Sequence, residues 1–505
     1  MSVDEREILT NLNIGSRTAE DEVDRLEQYF VETENWRKVW EDEVDIIFAP
    51  KGGGKSAIYQ MLLKRSEKLK DRNIMLVAAE NPSGNTVFQT LSSDTALSEA
   101  EFERIWLLYF LVLITNELEK KNIRDSELRN IREALESIGL DASVTSPRNI
   151  LTIIKDRIKA FFQAPEIGVT VDPTSGMTQI NARLKFDQPN ADELRKGVVS
   201  VDDLFDALET VLDRNSLTFW ILLDRLDVSF ASVPDLERVA LRSLFKAYAN
   251  LRRLKRVKCK IFLRTDIWRQ ISEGGFRELS HIERDLSLKW DENTLRSVLV
   301  QRLLQSERLV DALNLEPQAI EISSDRQKAL LGEISPDQVE SGEKKKPTAF
   351  DWVLSRIEDG NEIAVPREMI HFYSQVRSIQ LRRIETGESI AAFPRLFDVQ
   401  AFRDAWPIVS ETRLTQTIYA EYSDVKDWLE LLRGAKATQN EQSLSEIWNT
   451  SEEETFERIN RLLEIGFFKR KKEYGRYTYW VPFLYRPGLE MVQGAAEGVR
   501  DRSEI

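Results

Sequence analysis

The chain has 505 residues, 42% hydrophobic and 31% charged, with a net charge of −14, which is length enough for about two to four domains. The acidic balance excludes a surface that coats nucleic acid uniformly. A single cysteine, Cys259, excludes a disulfide framework or a cysteine zinc site, and with only His281 and His371, read as surface or packing residues, there is no histidine-rich metal site or Ser-His-Asp triad.

The first residues are charged, and no signal sequence is expected there. The longest apolar run, Ile105 to Thr115, falls short of the roughly 20 residues that span a bilayer and reads as a buried core helix. A cytoplasmic location is expected. Residues 18–40, with Val23, Leu26, Tyr29, Phe30, Trp36 and Trp40 among acids, predict one or two amphipathic helices.

An apolar strand, Val44 to Phe48, runs into Ala49-Pro50-Lys51-Gly52-Gly53-Gly54-Lys55-Ser56, and Ala57 to Lys64 has helical spacing. Strand, glycine turn and helix start are the context of a phosphate-binding loop. Glycines let successive N–H groups converge on an anion, and the helix N-terminus adds partial positive charge there. Lys55 would reach the β- and γ-phosphates and Ser56 would hold Mg²⁺. Ala49 stands where the first glycine is usual. Asn73 to Ala79 predicts the next strand and Asn81 to Gly84 a loop, giving the β-α-β start of a mostly parallel sheet.

Residues 97–164 predict three helices, and the alternation of 167–186 predicts a β-hairpin. Together, 97–186 read as an insertion, either a structural elaboration or a partner-contacting module. A helix at 201–212 leads into a buried strand, Leu217 to Asp224. A helix over 233–254, a strand over 259–263, a fifth strand over 286–290 and a helix over 292–304 come next. Periodicity is lost over 311–348, with an exposed loop at Glu343 to Pro347, and resumes at 349, where Pro366 begins a helix. Helical patterns run through 398–433. Helices at 443–449 and 452–465, then a hairpin of 467–472 with 476–481, make a winged-helix pattern. The expected domains are an α/β P-loop core over 1–310, an all-α lid over 311–435, a winged helix over 436–490 and a disordered tail over 491–505.

Asp224, an acid ending a buried strand, is the natural Mg²⁺ partner of the loop. Arg225 stands where a water-activating acid is expected in related ATPases, or is a salt-bridging surface residue. Asp227 can take the water-activating role, or hydrolysis is slow. Arg264 can report a γ-phosphate, or pair with Asp224, Asp227 or Asp266. Arg367 can lie on a lid over the nucleotide, or be a solvated first-turn arginine.

In this order, Ala49–Ser56, Leu222–Asp227, Phe262–Asp266 and Pro366-Arg367 resemble AAA+-type P-loop ATPases, nearest the bacterial STAND- and KAP-like branches. The resemblance implies a five-stranded sheet, ATP with Mg²⁺, and Arg264 and Arg367 as sensors 1 and 2. Many KAP-like members carry transmembrane helices between the two nucleotide motifs; this chain has a soluble segment there. Members of these branches are frequent in bacterial defence against phages.

The second helix of the winged helix carries Glu452, Glu453, Glu454, Glu457 and Glu464 against Arg458 and Arg461, which phosphates would repel. The hairpin over 469–479 mixes Lys469, Arg470, Lys471, Lys472 and Arg476 with tyrosines and can contact DNA, or stay solvated on a protein-binding module. Arg252 to Lys258 is a second basic stretch, read as a polar helix end. The leading expectation is an ATP-hydrolysing switch acting with itself or an effector protein. The alternatives are a nucleotide-gated scaffold with little turnover and an ATP-dependent DNA-binding protein.

Overall fold

The computed structural model describes residues 5–79, 97–163, 184–185, 199–226, 234–273, 275–276, 282–342, 346–388, 392–473 and 476–496. The loop expected at 81–84, most of the hairpin expected at 167–186, Asp227 and His281 lie outside them. The chain divides into two compact units: Glu34–Pro50 with Lys55–Leu288, and Met1–Thr33 with Lys51–Gly54 and Lys289–Ile505.

The first unit is built on a five-stranded sheet. Its strands are β1 (Ile46–Ala49), β2 (Ile74–Ala78), β3 (Thr218–Leu223), β4 (Val257–Arg264) and β5 (Asp285–Ser287). Every pairing is parallel, in the order β2-β3-β4-β1-β5. Parallel strands covered on both faces need apolar residues at successive positions. Accordingly Ile46 to Ala49 and Phe219 to Leu223 are buried without alternation. The connections are helical: α1 (Lys55–Lys64), α2 (Glu99–Lys120), α3 (Ser126–Glu136), α4 (Pro147–Gln163), α5 (Val201–Arg214), α6 (Pro234–Leu251) and α7 (Thr265–Ser272).

The apolar run seen at 105–115 lies in α2, which starts on a Ser98–Glu101 capping box. Its residues share one hydrophobic core with sheet residues such as Ile46, Phe48 and Val77, and the helix packs against α6 and α4. Trp106 Nε1 donates to the Ala240 carbonyl at 3.0 Å and the Tyr109 hydroxyl to that of Ala79 at 2.5 Å. A helix apolar all round is therefore enclosed by protein. No helix among the described residues is long and apolar enough to cross a membrane. From the expected insertion, Leu184–Lys185 pairs in parallel with Val199–Ser200.

At the N-terminal end of the sheet, Lys260 is fully buried between β4 and the entry to β1. Its ammonium meets Asp42 at 2.5 Å, the Val44 carbonyl at 2.5 Å and Asp45 at 3.2 Å, and lies 4.6 Å from the Trp220 ring. Buried Asp45 also accepts from Arg284 at 2.9 Å and from the Tyr248 hydroxyl at 3.0 Å. Burial beside that carboxylate raises the Tyr248 pKa.

Among the helices of the second unit are α8 (Glu292–Leu303), α9 (Ser324–Ile334), α10 (Ala349–Ile357), α11 (Pro366–Glu385), α12 (Val399–Arg413), α13 (Glu441–Trp448) and α14 (Glu452–Glu464). Over 311–348 the sequence shows little periodicity, yet short helices form at Glu307–Ala312, Pro317–Glu321 and α9. Ser306 and Ser323 cap two of them and Pro317 starts the third, so capping chemistry stands in for a long apolar stripe. Beyond α12 the chain takes a π-helical turn, Leu414–Ile418.

The C-terminal sheet contains β6 (Lys436–Gln439), β7 (Lys469–Glu473), β8 (Arg476–Trp480) and β9 (Val492–Ala495), in the order β9-β6-β8-β7. Helices α13 and α14 with the β7–β8 hairpin form the winged helix. The tail expected to be disordered from 491 instead opens with β9, whose partner β6 runs parallel to it. Arg356 ties α10 to this region, stacking on Trp352 at 4.2 Å and Phe483 at 4.3 Å.

Candidate functional site

In the sheet unit, β1 ends at Ala49 and α1 opens at Lys55, so the loop from Pro50 joins a buried strand to a helix N-terminus. The Ser56 hydroxyl donates to Asp224 Oδ2 at 3.1 Å. Asp224 is only 4% exposed and stands just past the end of β3. The Lys55 ammonium reaches back to the Ala49 carbonyl at 3.4 Å, and Ala57 follows in the first turn of α1. A buried carboxylate and a hydroxyl at this distance are hard oxygen donors of the kind Mg²⁺ takes, together with substrate phosphates. The geometry therefore brings together the predicted metal pair, Ser56 and Asp224.

Arg225 comes next with φ of +57°, an uncommon backbone state for an arginine. Strain of this sort gathers at functional turns. Its place after Asp224 is the one where an acid is expected, and Asp227 lies outside the described residues. Arg264 ends β4 and is buried; its Nε and Nη2 engage Asp266 at 3.1 and 2.6 Å. Asp266, among the ion-pair partners considered for Arg264, makes this bidentate contact, which fixes the guanidinium plane.

The tip of the loop, Lys51–Gly54, belongs to the second unit and meets Arg367 together with Trp290 and Glu421, which sequence reasoning did not assign to the loop. Gly52 and Gly54 have φ of +79° and +93°, so both occupy the region that favours glycine. A Cβ on Gly52 would lie 2.7 Å from the Arg367 Cβ. Trp290 Nε1 donates to the Gly53 carbonyl at 2.9 Å, and Lys51 pairs with Glu421. The apolar pattern puts Trp290 at the end of the fifth strand; β5 stops at Ser287 instead, which frees Trp290 to cover the loop. Its sequence signal is an indole directly after a strand of the P-loop sheet. Glu421 gives none.

Arg367 is the second residue of α11, after Pro366, and its Nε donates to the Arg17 carbonyl at 3.1 Å. It is thus a packed residue on the loop's tip, not a solvated one. Beside it, buried Glu368 accepts from Arg413 at 2.8 Å. One turn on, His371 is buried, and desolvation with the Arg17 charge lowers its pKa to about 4. Burial also pushes Asp359 up to about 6.

These shifts act on stability with opposite signs. His371 is protonated in the unfolded chain below about pH 6.5 but not in the folded one until about 4, so it removes stability as pH falls through that window. Asp359 holds its proton longer in the folded chain, so it removes stability as pH rises from about 4 to about 6. His371→Gln should therefore gain on the parent by about 2 to 3 kcal/mol between pH 6.5 and 4. Melting curves across that range check this, and parallel curves for the two proteins would refute it.

In the winged helix both arginines of α14 turn inward. Arg458 pairs with Glu454 and stacks on Trp428 at 5.0 Å, and Arg461 meets Asp424 at 3.0 Å and Glu464 at 2.9 Å. The outward face of α14 is left more acidic than its composition. In the hairpin, Lys469 pairs with Glu362 and Lys471 lies 4.6 Å from the Trp480 ring, while Arg470, Lys472 and Arg476 are exposed. The second basic stretch is taken up locally: Arg253 pairs with Asp206, and Arg256 with Asp213 at 2.7 Å.

No protein-family model matches the chain, and no curated protein matches it. Among solved structures it is similar to the Aeropyrum pernix ORC2 protein in its ADPNP–ADP complexes, with 11% identity, 90% of this chain and 92% of that one covered, and a TM-score of 0.30. For the ADP form of the same protein the values are 12%, 90%, 88% and 0.31. Cdc6p from Pyrobaculum aerophilum matches at 12% identity over 59% of this chain and 74% of its own, with a TM-score of 0.20. At such scores any functional reading rests on the chain's own geometry.

Proposed function

We propose that this chain binds ATP with Mg²⁺ at the loop Ala49–Ser56 and works as a nucleotide-dependent switch of the AAA+ type, turning ATP over slowly and acting with itself or an effector protein. The observation that carries the reading is the 3.1 Å contact of the Ser56 hydroxyl with buried Asp224, next to a loop in which Gly52 and Gly54 adopt positive φ. Backbone N–H groups of such a loop cradle phosphate oxygens, and Lys55 lies at the helix start to reach the terminal phosphates. Ser56 and Asp224 would hold Mg²⁺, whose bound charge neutralises the phosphate oxygens.

Slow turnover is expected from Arg225. A group that orients the attacking water must accept its proton or a hydrogen bond, and a guanidinium has no acceptor. Arg264, held by Asp266 at the end of β4, is in the class of residue that reports a γ-phosphate. Arg367 supports the reading of a lid whose first turn senses the loop's tip.

Phosphate release by the purified full-length protein tests this. The parent should release phosphate from ATP, and Asp224→Asn should lower the rate at least about 100-fold, the scale on which removing a charge-stabilising group acts. Equal release by parent and variant would remove the hydrolytic part of the proposal.

A further inference from the structure

The winged helix carries a surface for which the nucleotide site has no use. On α14, Glu453, Phe456, Glu457 and Asn460 form one exposed stripe at helical spacing. Its opposite side, Thr455, Ile459 and Leu462, is buried in the body. Phe456 is 54% exposed and sits between Glu453 and Glu457 on this stripe.

The hairpin carries the counterpart. Register pairs Lys472 with Tyr477 and Arg470 with Tyr479, so these residues share one face of the β7–β8 ribbon; Tyr479 is buried in the core, and Arg470, Lys472 and Tyr477 are the exposed part of that face. Tyr477 is 43% exposed. Arg470 and Lys472 flank its ring at 5.0 and 5.7 Å. One surface therefore reads acid–aromatic–acid and the other cation–aromatic–cation. The spacings also agree. Glu453 and Glu457 are separated by about 6 Å of helix rise, and Arg470 and Lys472 by about 7 Å of strand.

We infer that the α14 stripe of one molecule docks on the β7–β8 ribbon of a second copy of this chain, with Phe456 against Tyr477 and Glu453 and Glu457 facing Arg470 and Lys472. Aromatic residues at the centre of a contact and complementary charges around them are the arrangement of a specific interface. Each molecule bears both halves, so a two-fold pair makes the contact twice. The acidic face of α14 disfavours a duplex in the place where a reading helix would otherwise sit.

The test is reciprocal charge reversal in the full-length chain, read by sedimentation velocity over a concentration series at low salt. The parent should associate, and less so as salt rises. Glu453→Lys/Glu457→Lys and Arg470→Glu/Lys472→Glu should each weaken self-association more than about 10-fold, because like charges then face each other. An equimolar mixture of the two variants should form a one-to-one pair, since every junction in it again joins opposite charges. Phe456→Ala should weaken the parent's association about 10-fold. All these positions are exposed, and unchanged melting of each variant separates lost contact from lost fold. A parent that stays monomeric, variants that associate as the parent does, or a mixture that does not pair would each overturn the inference. Salt-sensitive binding of a DNA duplex by a monomeric parent, lost in Arg470→Glu/Lys472→Glu, would overturn it in favour of a nucleic-acid contact.

Discussion

Lys55→Ala is expected to weaken ATP binding about 100-fold while leaving the protein folded. Charge-assisted hydrogen bonds are worth about 1.5–3 kcal/mol each when their partner is lost, and 2.7 kcal/mol corresponds to a factor of about 100. The Lys55 ammonium makes a long contact of 3.4 Å to the Ala49 carbonyl. Its value is realised when phosphate is present. Calorimetric titration with ATP and Mg²⁺ measures the first part, and the melting temperature without ligand measures the second. An unchanged affinity would mean that the loop does not serve phosphate.

Asp45→Ala should have the largest effect on stability, a loss of about 3 kcal/mol, because it takes one of two carboxylate partners from a buried ammonium and leaves Asp42 alone to face Lys260 and Arg284. Lys260 has no exposed surface and Asp45 is 3% exposed, so water cannot replace the missing carboxylate. Arg284 and Tyr248 lose the same acceptor. The melting temperature should fall by about 6–12 °C, given the few degrees that each kcal/mol shifts a domain of this size. Adding Lys260→Met should recover most of the loss, because an apolar side chain of similar length needs no counter-ion. A double variant less stable than Asp45→Ala would show that the ammonium has enough partners without Asp45.

Much of the proposed nucleotide site is legible in the sequence because it is local. The loop, its strand and its helix are contiguous, and a buried strand that stops at Asp224 is visible as an apolar run with an acid after it. Apolar runs without alternation, each leading into a helical stretch, likewise predict parallel strands, and the sheet is parallel throughout. The short helices between 307 and 334 escape sequence reading because an apolar stripe needs several turns to show, though Ser306, Pro317 and Ser323 mark their starts. Strand β9 escapes it for a different reason. Val492 to Ala495 contains a glycine and little alternation, and it is a strand because β6 offers it a hydrogen-bonding edge.

The sequence by itself determined the features that arise from backbone chemistry and short-range spacing. Glycines supply positive φ, Pro366 starts a helix, a buried strand is apolar, and Lys55 and Ser56 open a helix behind a glycine turn. Only the tertiary structure decided which distant residues meet. It set β4 between β1 and β3, laid Trp290 and Arg367 on the loop's tip, gave Asp266 to Arg264, and turned Arg458 and Arg461 inward so that the face of α14 is acidic. Such pairings depend on register and on the burial of whole elements, and no local window of residues encodes either. The loop reads as a candidate phosphate site because its chemistry is carried in consecutive residues. The residues that meet the loop's tip, and the face that the winged helix presents outward, are fixed by packing across hundreds of residues.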